Sequence, residues 1–344
     1  MENSEPVSSS VSSTPKTQPR WPWRILFGAD GLRAGWGLLL FFLLIYLVQH
    51  GINGGFTYFH HLNPDEMRLQ HTVRTPGKTM IIDGVPFLAV AVVTFLMSLV
   101  ERRPFRAYGF GATVGAGRQF LAGLFWGFVL LSLLVLSLWG LHYLVFDGRA
   151  LSGFRILKFG VEWALAFLCV GLFEEPISRG YLQFTIARGI AGPLHFTRVA
   201  PYSRAIGFWI TAILSSYLFG SGHSLNVGES PIGLISAGLI GFVYTLSLWR
   251  TGSLWWAIGM HAAWDWSQSF VYGVADSGHM VAPTLFRSHP QGSTLMSGGL
   301  TGPEGSVLCL AVIAISAVVV LLTLPNTGWP APGSRVAFQD QSQS

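Results

Sequence analysis

An all-α, polytopic transmembrane bundle of about eight helices is the fold class this sequence predicts, and three observations predict it. The chain of 344 residues is 51% hydrophobic and only 11% charged. A soluble domain is about 25% charged. Its mean hydropathy is +0.49. The apolar residues fall in runs near the length of about 20 residues that a bilayer-spanning helix needs. The net charge of +5 comes with no basic block, so no nucleic-acid partner is expected; the bilayer itself is the first partner. Cys169 and Cys309 both sit in apolar runs and read as packing thiols rather than a disulfide or zinc framework.

The predicted elements follow in order. Residues 1–24 begin with a stretch rich in Ser, Thr and Pro, which reads as a disordered segment facing the cytoplasm. No apolar run follows the first Met, so no cleaved signal peptide is expected. A transmembrane body occupies 25–325. Its eight apolar segments cover 32–49, 80–100, 120–146, about 157–188, 205–222, 232–249, 254–271 and 307–324. Residues 326–344 are again polar and read as a disordered tail. Basic residues favour one side: Lys16, Arg20, Arg24 and Arg33 before the first segment, then Arg102, Arg103, Arg106 and Arg118 between the second and third. That excess places both termini in the cytoplasm of a multi-pass cell-membrane protein. Two long loops, 50–79 and 273–306, then lie outside. The first carries His50, His60, His61 and His71; scattered loop histidines of this kind are expected to be solvated.

Charges inside the apolar segments carry the functional signal, since each costs about 3 kcal/mol unless paired or hydrated. Asp83 and Glu162 lie near predicted helix ends, where they are expected to reach water. Glu174, Glu175 and Arg179 do not; they follow the apolar run "ALAFLCVGLF" in "GLFEEPISRGYLQF". Adjacent helical residues point about 100° apart, so the two glutamates cannot face one partner. Arg179 is four residues after Glu175 and can pair with it. Glu174 is left to face a cavity, where a carboxylate with no cation of its own suits general acid–base work. Pro176 removes a backbone donor and weakens the helix at this point. A structural ion pair explains this motif alone equally well.

Two more stretches shift the balance. "SSYLFGSGHSLN" puts His223 at a helix end, with Phe219 four residues before it and Asn226 three after. "WWAIGMHAAWDW" puts His261 and Asp265 on one face. Two histidines, an acid pair and a further carboxylate on three helices supply what activation of a water molecule needs: a proton acceptor, and groups that orient water, bind a metal or stabilise an oxyanion.

These residues resemble the three motifs of the CPBP family, which comprises type II CAAX prenyl endopeptidases and bacteriocin-processing or immunity proteins, also called Abi. E-E-x-x-x-R corresponds to Glu174, Glu175 and Arg179, followed by Gly180. F-x-x-x-H corresponds to Phe219 and His223. H-x-x-x-N/D corresponds to His261 and Asp265. The loop "GGLTGPEGS", 298–306, is similar to a segment before the last helix of bacterial members, and the likeness spans about 80–324. The resemblance implies an all-helical intramembrane endopeptidase acting on a membrane-associated, prenylated or leader peptide. By it, Glu174 activates water with help from His223, Glu175 pairs with Arg179, and His261 and Asp265 line the oxyanion side. Asp stands at 265 where the well-studied form has Asn, which fits a metal ligand or an orienter of His261. Glu174, His223, His261 and Asp265 would satisfy a zinc site with an open position. A metal-free glutamate mechanism is the other reading, and the sequence leaves the two open. Outside proteolysis, the same charges suit a proton- or ion-coupled transporter or a non-enzymatic immunity-type scaffold. No inverted repeat of transporter type is visible.

Overall fold

The computed structural model describes residues 23–28, 31–61, 73–111, 115–326 and 329. The tails expected to be disordered fall almost entirely outside these, as do Arg68 and His71 of the first long loop. Trp329 is described, and its ring packs 5.0 Å from that of Phe208.

The chain forms a helical bundle: α1 Ala34–His60, α2 Pro76–Val100, α3 Ala116–Gly140, α4 Phe154–Glu175, α5 Gln183–Leu194, α6 Ser203–Gly222, α7 Pro231–Thr251, α8 Trp255–Asp265 and α9 Val307–Thr323. A π-helical turn, Pro176–Leu182, joins α4 to α5, and a second one, Trp266–Val271, extends α8. Among the described residues, six helical stretches are long and apolar enough to cross a membrane, one of them the continuous run Phe154–Leu194. The last two predicted spans are shorter: α9 has 17 residues, and α8 has 11 before its π turn.

Three boundaries differ from expectation. The first helix runs eleven residues past Gln49, to His60, although "HGINGGFTYFH" is too polar to read as membrane helix. Asn53 explains the continuation. Its carbonyl accepts from Thr57 Oγ1 at 2.9 Å, so the polar side chains bond within the helix. The second helix begins at Pro76, where the missing N–H of proline costs nothing. Asp83 therefore lies two turns inside and is buried rather than reaching water; Glu162 is half-buried. The third helix ends at Gly140, not 146. Leu144–Arg149 forms a strand, β1, paired antiparallel with β2, Phe286–Pro290, in the second long loop. A short apolar run such as "LVF" is ambiguous between strand and helix until its partner is known.

α8 sits at the centre, packed against α3 and α4. Glycines permit this. A Cβ on Gly123 would strike the Trp256 carbonyl, and one on Gly127 that of Met260. Gly259 faces the Phe120 carbonyl in return. Small residues spaced four apart let membrane helices approach backbone to backbone. Around this contact a core forms from Leu130, Leu134, Trp256, Met260 and Val312.

Candidate active site

The site begins where α4 fails. Pro176 cannot donate to the carbonyl one turn back, and the helix widens into the π turn immediately after the two glutamates. Such π turns are frequent at functional sites. Glu175 and Arg179 are fully buried, and Arg179 Nη1 donates to Glu175 Oε1 at 3.0 Å. The guanidinium lies over the Phe219 ring, 4.1 Å from its centroid, with Tyr244 at 5.6 Å. The aromatic of the second motif is thus a cation–π platform for the cation of the first. Gly241 leaves room for it, since a Cβ there would collide with Arg179 Nη2. Gly180 likewise lets the turn approach the Tyr108 carbonyl, 3.0 Å from where its Cβ would be.

His261, buried on α8, reaches back to this pair. Its Nδ1 lies 2.9 Å from Glu175 Oε1, so Glu175 holds both Arg179 and His261. Nε2 faces Asp265 Oδ2 at 3.5 Å and Glu174 Oε2 at 3.9 Å. Two carboxylate oxygens thus converge on one imidazole nitrogen. The Tyr244 ring stacks on that of His261, 5.6 Å between centroids.

His223 is held differently. Its Nδ1 bonds the Phe219 carbonyl at 2.8 Å. A carbonyl only accepts, so Nδ1 carries the hydrogen and Nε2 offers a lone pair when the ring is neutral.

Glu174 keeps 26% of its side chain exposed, whereas Glu175 keeps none. That exposure faces two cavities. One, about 160 Å³, is lined by Glu174, His223, His261 and Asp265, and also by Arg74 and Asp83. The other, about 500 Å³, shares Glu174, Phe219, His223 and Asn226 but is walled by Phe42, Ile177, Leu182 and Leu218. It opens between α1 and α6, where Phe42 and Leu218 are exposed on the bundle exterior. A polar chamber and an apolar groove therefore meet at Glu174.

All seven motif residues named from the sequence, Glu174, Glu175, Arg179, Phe219, His223, His261 and Asp265, come together here. The four groups considered for a metal line one chamber, but among the described residues no three His, Cys, Asp or Glu side chains are gathered closely enough to hold an ion. Tyr244, Gly241, Arg74 and Asp83 belong to the site or its walls and went unassigned at the sequence level. Only Asp83 carried a signal, as a charge inside an apolar segment.

Residues 156–267, which contain all three motifs, match the family model described as type II CAAX prenyl endopeptidase Rce1-like. No curated protein and no solved structure matches the chain.

Proposed function

We propose, from the premise that residues 156–267 place this chain in the CPBP family as an Rce1-like, type II CAAX-type intramembrane endopeptidase, that Glu174 is the base of its peptide hydrolysis. The observation that carries this is the division of labour between adjacent glutamates. Glu175 is committed to Arg179 and His261, while Glu174 stands partly free where the polar and apolar cavities join.

In this reading the apolar groove takes the lipid-borne part of a membrane-associated peptide, and the polar chamber takes the scissile bond. Water sits between Glu174 and His223, whose Nε2 lone pair orients it. Glu174 removes a proton as the water oxygen adds to the carbonyl carbon. Negative charge on the carbonyl oxygen is met by the His261 side, where Nε2 carries hydrogen when the ring is protonated. Glu174 then passes its proton to the amide nitrogen, and the carbon–nitrogen bond breaks. Glu175 is a positioning residue that fixes the His261 ring through Nδ1, and Asp265 shares the Nε2 side. The basic residues of the α2–α3 connection, Arg102, Arg103 and Arg106, support cytoplasmic termini in a cell membrane.

The test uses the full chain in proteoliposomes with an S-farnesylated peptide ending in C-a-a-X. Glu174→Gln removes the base and keeps the shape, so turnover should fall by about 10²–10⁴-fold or more with unchanged circular dichroism. Normal turnover by the variant would overturn the assignment. Glu174-dependent ion uptake by the same vesicles, without cleavage, would favour a transporter instead.

A further inference from the structure

The polar chamber continues outward past the motif residues. Its outer wall comes from the loop between α8 and α9, which brings Asp276 and Glu304 to the cavity that holds Glu174 and Asp265. Glu304 Oε1 accepts from Trp264 Nε1 at 3.0 Å, and Oε2 accepts from Ser277 N at 3.2 Å and Oγ at 2.9 Å. Asp276 Oδ2 accepts from Ser269 Oγ at 3.2 Å. All these partners are neutral. Among the described residues, no Lys, Arg or His forms an ion pair with Asp276 or Glu304.

Among the described residues, the basic groups lining the chamber are Arg74, His223, His261 and His279. Arg74 lies 3.9 Å from Asp83, and His261 is engaged by Glu175, Asp265 and Glu174. His223 Nδ1 is bonded to the Phe219 carbonyl, and His279 Nδ1 lies 3.2 Å from the Ser277 carbonyl. Against them stand Asp83, Glu174, Asp265, Asp276 and Glu304 on the same walls.

A second observation points to an occupant. Thr79 Oγ1 lines the same chamber, the residue is 2% exposed, and among the described residues this oxygen has no hydrogen-bond partner. Buried hydroxyls left unbonded are costly, and most native ones are satisfied. Asp276 and Glu304, bonded only to neutral groups, share a chamber with the unbonded Thr79 hydroxyl, and together they describe a receptor for a positively charged group with several N–H donors. Burial first, then Asp265 and Glu304, pushes the Asp276 carboxyl well above the usual carboxylate range, and a cation among them relieves that strain.

We propose that this acidic outer half of the chamber receives a Lys or Arg side chain of the peptide substrate beside the scissile bond, with Asp276 and Glu304 determining that specificity. The inference rests on the protease reading above and gives it a substrate class. A free terminal carboxylate, which a C-a-a-X peptide carries, meets like charge in the same place. A peptide with a basic residue flanking the bond meets complementary charge.

The experiment measures binding apart from turnover. Full-length Glu174→Gln protein in nanodiscs is titrated with acetylated, S-farnesylated peptide amides. Each carries one Arg, stepped through the positions flanking the cysteine, and each has a citrulline twin of equal shape and no charge. At one position Arg should bind about tenfold or more tighter than citrulline, as charge-assisted hydrogen bonds imply. Adding Asp276→Asn and Glu304→Gln should bring that ratio to about one. Equal binding at every position, no binding of any Arg peptide, or a preference that survives both substitutions overturns the proposal. Should the double substitution misfold, Asp276→Asn alone, which touches only the Ser269 bond, still tests the ratio. Cleavage of the same peptides by the wild type is scored separately. Its absence would sink the protease reading and leave the binding ratio to decide the cation receptor.

Discussion

Two buried glutamates hold the same π turn from opposite sides, and they are satisfied in different ways. Glu101, at the end of α2, accepts from Tyr181 at 2.7 Å on Oε1 and from Tyr108 at 3.4 Å on Oε2. Arg103 and Arg188 add charge at 3.4 and 3.6 Å from Oε2. Both of its oxygens are occupied. Glu175 takes Arg179 and His261 on Oε1 alone, and its Oε2 has no partner, nor do Arg179 Nε and Nη2. The first arrangement is a clamp. Tyr181 also stacks on Phe41 of α1, 4.0 Å between centroids, so the clamp ties three helical elements together. The second is under-satisfied, with one carboxylate oxygen shared between Arg179 and His261; departures of this kind are expected at functional or strained sites. Arg179 and Tyr181 are two residues apart on one turn, so the anchor on one side and the buried pair on the other share the same backbone.

The comparison breaks most visibly at Glu175. Glu175→Ala strands Arg179 and releases His261, and loss of one partner of a buried pair costs about 3–5 kcal/mol. We expect a large drop in the unfolding midpoint in detergent together with lost turnover. Stability equal to the wild type would show that the pair does not hold the turn. Glu101→Ala should cost less, about 1–3 kcal/mol, because Arg103 and Arg188 keep 8% and 6% of their side chains exposed whereas Arg179 keeps none. Turnover per folded molecule should survive this change. A loss as complete as that of Glu175→Ala would mean that the clamp, too, sets the chemistry. Tyr181→Phe should be the mildest, about 1 kcal/mol for one hydrogen bond, read as a small shift in the same midpoint with the Phe41 stacking kept.

Much of the site could be read along the chain because helical spacing is short-range geometry. Four-residue separations fixed Glu175 with Arg179 and His261 with Asp265 on shared faces before any fold was known. Pro176 marked where the helix gives way. The role of Phe219 could not be read, since a cation–π contact between separate helices has no local signature. Glu175 was assigned to Arg179 alone, and its second partner, His261, lies 86 residues away. The loop 298–306 drew notice by resemblance, yet nothing in "GGLTGPEGS" says that Glu304 reaches back to Trp264 and Ser277.

By itself the sequence determined the membrane bundle, the motif helices and which residues share a face. Each of these follows from hydropathy and a period of 3.6, properties of neighbours along one chain. Only the tertiary structure decided that α1 continues to His60, that 144–149 is a strand, and that Asp83 lines a cavity. It also decided that Glu175 binds His261 as well as Arg179. Those outcomes depend on hydrogen-bond partners supplied by distant segments, and a buried charge takes its role from whichever group the fold places against it.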